Sequence, residues 1–158
     1  MITKGLFLNT INFYWIIFDL LLLAPNIVFA ATHKDGFENL FHNRLVETLE
    51  QIGRFGCFAF MFFSPRSVCR GFVSDTAKTA YLAVSSVLVA MYLLGWLIFW
   101  KEDSVRKSLV LSILPSLLFL ESGILTRNFV LIGLSVVFAP CHIIISYMNS
   151  KLKLKNDK

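Results

Sequence analysis

Long apolar runs separated by short polar breaks dominate the chain. Leu6 to Ala31, Thr79 to Trp100, Lys107 to Leu125 and Phe129 to Tyr147 each hold 19 or more residues with few charges. A hydrocarbon core about 30 Å thick takes about 20 mostly apolar residues in a helix, because lipid offers no partner to an unsatisfied backbone group. The pattern therefore predicts four membrane-spanning helices. A fifth stretch, Leu45 to Phe63, has the length but carries Glu47, Glu50 and Arg54 in its first half. It either spans or lies as an amphipathic surface helix followed by a short apolar dip. The predicted fold class is all-α, a polytopic transmembrane helical bundle of five spans, with four spans plus an interfacial helix as the alternative. One integral membrane domain covers residues 1–158, with spans near 6–31, 45–63, 79–100, 107–125 and 129–147.

The breaks between runs are short. Phe37, Leu40, Phe41, Arg44, Leu45 and Thr48 fall at helical spacing and predict an interfacial helix leading into the second span. Ser64-Pro65-Arg66 stops that span, and Asp75 is placed to cap the next. Val28-Phe29-Ala30, followed by Ala31, has the form of a signal-peptidase site. Asp19 has no place in a plain signal h-region, so an uncleaved first helix is expected. No internal repeat relates the spans, which leaves an inverted-repeat transporter fold without support.

Composition narrows the class. The 158 residues are 56% hydrophobic and 16% charged, whereas a soluble domain carries roughly 25% charged residues. A water-soluble globule and a disordered chain are both excluded. Three cysteines without Cys-x-x-Cys spacing suggest neither a disulfide scaffold nor a metal knuckle. No cofactor and no metal are implied.

Basic residues set the expected orientation. Five spans with the C-terminus inside place Lys34, Arg44, Lys101, Arg106, Lys107, Lys151, Lys153, Lys155 and Lys158 in the cytoplasm. Lys4, Arg66, Arg70, Lys78 and Arg127 then lie outside, with Arg54 buried. Four spans would divide the basic residues almost evenly, so five are favoured. The expectation is a multi-pass plasma-membrane protein with a basic cytoplasmic tail over 148–158. The net charge of +5 does not indicate nucleic acid, because a juxtamembrane basic tail gains about 1 kcal/mol per residue from anionic headgroups and no folded basic module accompanies it. The expected partners are the lipid bilayer and either a second copy of the chain or a larger membrane complex.

The candidate site comes from residues that lipid disfavours, since a mid-membrane charge costs roughly 2.5–3.5 kcal/mol on insertion scales. Asp19, Glu47, Glu50, Arg54, Cys57 and His142 are the ligand-binding or ion-coupling candidates. Glu121, close to Arg127, reads as an interfacial residue. At about 100° per residue, Asn43, Glu47, Glu50, Arg54, Cys57 and Met61 share one arc of about 80° on a helix. Gly53 and Gly56 turn elsewhere. Glu50 and Arg54, four residues apart with the acid first, form a favourable helical ion pair. Asp19 and Arg54 each lie midway along their spans, which predicts a buried Asp19, Arg54, Glu50 cluster joining the first two helices. Such a cluster either locks the helices or holds a proton or polar ligand.

Three function classes remain. One is a ligand-binding, transport-associated or accessory membrane component. A second is a non-catalytic immunity or assembly protein of the membrane. The third, an intramembrane enzyme using Glu47, Glu50 or His142 as acid or base, has the weakest support, because no motif brings several reacting groups together. No catalytic residue is assigned.

Overall fold

The computed structural model of the protein describes residues 13–33 and 38–156. Among them are five helices: α1 (Phe13–Thr32), α2 (Arg44–Phe62), α3 (Asp75–Ile98), α4 (Val105–Leu125) and α5 (Phe129–Asn156). The described residues form no named strand, and the one isolated bridge joins Cys69 to Asn128. The protein is all-helical, and α1, α3, α4 and α5 are each long and apolar enough to cross a membrane. Residues 6–12 of the first predicted span and Phe37 of the predicted interfacial helix lie outside the described residues.

Each helix after α1 starts at a side-chain cap. Asn43, Ser74, Ser104 and Asn128 accept hydrogen bonds from the backbone N–H groups of Val46, Ala77, Lys107 and Leu131, which satisfies donors a helix start otherwise leaves orphaned. The cap of α3 is thus Ser74, in extended conformation, with Asp75 its first helical residue and not its cap.

Two sequence expectations change at the helix ends. Residues 38–43 are not helical, so no interfacial helix leads into α2. Asn149 on α5 instead takes the amides of Leu40 and Phe41 on its Oδ1, at 3.0 and 2.7 Å. The basic segment expected as a tail after Tyr147 continues α5 as helix to Asn156, and Lys153 reaches Asp103 at 2.8 Å.

The helices form a ring in the order α1, α3, α4, α5, α2. Small residues allow the closest approaches. A Cβ on Gly53 would stand 2.7 Å from Phe138 Cβ and 2.9 Å from its Cα, and one on Gly123 would meet the Ile132 backbone at 3.0 Å. α2 therefore lies antiparallel against α5 along its whole length, from the Asn149 contacts at one end to Phe60, whose carbonyl accepts from Asn128 Nδ2 at 3.0 Å, at the other. α1 completes the ring parallel to α3, through Phe18 on Tyr81, Asn26 on Tyr92 and Phe29 on Trp96.

Both ends of the ring are tied. At one end Arg127, with φ of 52°, turns α4 into α5, and its guanidinium Nε donates to Gly71 O at 3.1 Å. The residues preceding α2, the 99–104 turn and the last turns of α5 share the other end. Large apolar side chains such as Ile17, Ile27, Leu97 and Val136 point outward, as suits helices surrounded by hydrocarbon.

Candidate functional site

Glu50 organises the polar interior between α2 and α5. It is 3% exposed, and its Oε1 accepts from Arg54 Nε at 2.9 Å and Nη2 at 2.5 Å. The same oxygen accepts from His142 Nδ1 at 2.8 Å, since an ionised carboxylate only accepts. Local sequence builds this arrangement. Gly53 admits Phe138 against the α2 backbone, and one turn away along each helix stand Glu50 and His142. Phe138 and His142 rings stack at 4.7 Å and 19°, which fixes the imidazole plane.

These side chains line a cavity of about 660 Å³ within the ring. Glu50, Arg54 and His142 form part of one wall, while Tyr92, Trp96 and Lys107 contribute from α3 and α4. Its lining is polar toward the end carrying Asp103, Asn149 and Lys153, and apolar toward Phe58, Phe119 and Phe138. Arg54 is not buried as the sequence suggested. Its side chain remains 47% exposed, because it projects along this cavity.

The expected pairing of Asp19 with Arg54 does not form. Asn26 on α1 is level with Tyr92, donating to its hydroxyl at 2.7 Å, and Arg54 lies within electrostatic range of that same hydroxyl. Asp19 precedes Asn26 by seven residues, about 10 Å along a helix, and so lies at a different depth. Cys57 and Tyr81 instead lie within electrostatic range of its carboxyl. Asp19 is 6% exposed, and its Oδ1 has no hydrogen-bond partner among the described residues.

A second polar group surrounds that position. Ser85 donates to Glu121 Oε2 at 2.8 Å, and Tyr81 sits beside Ser85 and Ser122. Glu121 Oε1 has no hydrogen-bond partner among the described residues. Glu121, expected at the interface from its nearness to Arg127, is partly buried and turns its carboxylate inward to Ser85. Fully buried Cys57 ends the α2 stripe away from the cavity. Glu47 lies at the polar rim, where Asn39 donates to it at 2.8 Å.

The structure thus brings Glu50, Arg54 and His142 together, places Asp19 and Cys57 in a separate group, and leaves Glu47 at the rim. Lys107 and Asn149 were missed as site residues, because a lysine at a helix start reads as an orientation signal and an asparagine in a polar segment carries none. Among the described residues no group of three or more His, Cys, Asp and Glu is arranged to hold a metal ion. No protein-family model, curated protein or solved structure matches the chain.

Proposed function

We propose that the chain is a five-span protein of the plasma membrane, C-terminus cytoplasmic, that binds a ligand within its helical ring as a ligand-binding or transport-associated component. The observation that carries this reading is that Glu50, Arg54 and His142 line a cavity instead of meeting in a dry interface. A purely structural lock has no need of an adjoining space of this size.

Two features support α2 as a span. It runs the full height of α5, and its outer face carries exposed Leu45, Leu49, Ile52 and Phe55, an apolar stripe suited to lipid. Lys101, Arg106, Lys151, Lys153 and Lys155 belong to elements at the end where α2 begins, which favours that end as cytoplasmic. Transport would require a second copy or a partner, since five helices without a repeat have no matching half to move against.

Cysteine accessibility tests the reading. In a variant lacking Cys57, Cys69 and Cys141, Gln51→Cys and Ser146→Cys are expected to react with a membrane-impermeant thiol reagent from the cytoplasmic side only, and Phe55→Cys to resist it. Protection of Gln51→Cys from both sides would remove the cavity reading.

A further inference from the structure

Lys107 is a cation of the cavity wall with no close ion pair among the described residues. Although it is only 7% exposed, its Nζ has no carboxylate within 4 Å and donates no hydrogen bond among the described residues. Asp103 and Glu102 act on it only from beyond ion-pair distance, and Asp103 Oδ2 holds Lys153 at 2.8 Å. Arg54 and His142 are likewise committed to Glu50. The Lys107 ammonium rests over the Phe29 ring at 4.3 Å and the Trp96 ring at 5.6 Å. Two ring faces attract a cation but accept none of its three N–H donors in a full hydrogen bond. The ammonium has no hydrogen-bond acceptor among the described residues and borders a space large enough to admit one.

The wall beyond Lys107 changes from polar to apolar along α4. Ser104 and Ser108 stand beside it, and Leu111, Pro115 and Phe119 follow at four-residue intervals on the same cavity-lining face. Lys107 and Phe119 are twelve residues apart, about 18 Å along a helix, close to the depth of one leaflet of a hydrocarbon core about 30 Å thick. Leu22 and Phe58 face this apolar part from α1 and α2.

We infer that the cavity holds an anionic amphiphile, with a phosphate or carboxylate headgroup on Lys107 between Phe29 and Trp96 and a single hydrocarbon chain along Leu111, Pro115 and Phe119. Lys107 at one end suits the headgroup, and the walls formed by Leu111, Pro115 and Phe119 on α4, with Leu22 and Phe58 opposite, suit a chain that passes the half-exposed Arg54. A small inorganic anion would leave those walls without an occupant. The inference rests on the ligand cavity proposed above and specifies what occupies it.

The test uses the full chain in an uncharged maltoside detergent, with 1-oleoyl lysophosphatidic acid as probe and bound ligand counted by native mass spectrometry. One equivalent is expected to bind. 1-Oleoylglycerol, which lacks the charge, and inorganic phosphate, which lacks the chain, are expected to bind about tenfold or more weakly. Lys107→Met should weaken probe binding about tenfold or more, in line with loss of one partner of a buried charge pair. Lys107→Arg should retain it, and Lys101→Met, which removes the same charge outside the cavity, should stay within about twofold. Leu111→Trp, which fills the chain path without touching the ammonium, should also abolish binding, and covers the case in which Lys107→Met does not fold. Unchanged binding by a folded Lys107→Met or Leu111→Trp, equal loss in Lys101→Met, or equal binding of phosphate or 1-oleoylglycerol would overturn the inference. If Gln51→Cys is accessible but the probe shows any of these results, this inference alone falls. If Gln51→Cys is inaccessible, the cavity reading falls with it.

Discussion

His142 on α5 donates to Glu50 on α2 at 2.8 Å across 92 residues of sequence, through the same oxygen that Arg54 holds from one turn away. A single carboxylate oxygen therefore ties the two helices and fixes the side chains facing the cavity. Removing Glu50 leaves the largely buried His142 ring without this partner, whereas the half-exposed Arg54 can turn to other contacts.

Glu50→Gln is expected to lower stability by about 1–3 kcal/mol, near the lower figure because the half-exposed Arg54 regains water or cavity contacts. Thermal unfolding of Glu50→Gln, His142→Phe and the double variant should give a coupling energy of about 0.5–3 kcal/mol. Strict additivity would show that the observed hydrogen bond contributes nothing.

Two glycines on the α2 and α5 pair should respond in opposite ways. Gly53→Ala forces a methyl against the Phe138 Cα and Cβ, an overpacking that costs about 1–3 kcal/mol. Gly133→Ala meets nothing within 4 Å and should gain about 0.5–1 kcal/mol from helix propensity. The melting temperatures of the two variants check the sign of each.

Asp19 lies buried with an unpartnered oxygen. Asp19→Leu, which replaces it with an apolar side chain of similar reach, should raise stability by about 1–3 kcal/mol. A large destabilisation on thermal unfolding would mean that the carboxyl has a binding partner in the membrane-embedded protein.

Asn149 replaces a missing helix as the acceptor for the Leu40 and Phe41 amides. Asn149→Leu should leave both amides without a partner while α5 stays helical. Hydrogen–deuterium exchange should then accelerate at residues 38–43 and remain unchanged along α2. Equal acceleration along α2 would instead show that Asn149 holds the helix pair and not only the preceding segment.

The hydrophobic pattern by itself determined the all-helical class, four of the membrane-length helices and their approximate limits, because apolar length is a local property of the chain. The Glu50 and Arg54 pair was legible for the same reason, four residues being one helical turn. Partner choice between helices was not. Asp19 and Arg54 share a midpoint on paper, but the level of α1 is set by Asn26 on Tyr92 and Phe29 on Trp96, which displaces Asp19 toward Cys57 and Tyr81. Likewise only the close approach at Gly53 brings His142 to Glu50, and only the ring order α1, α3, α4 lays Lys107 over Phe29 and Trp96. Depth and azimuth of one helix against another arise from side-chain packing across the bundle, and no periodicity within a single helix encodes them.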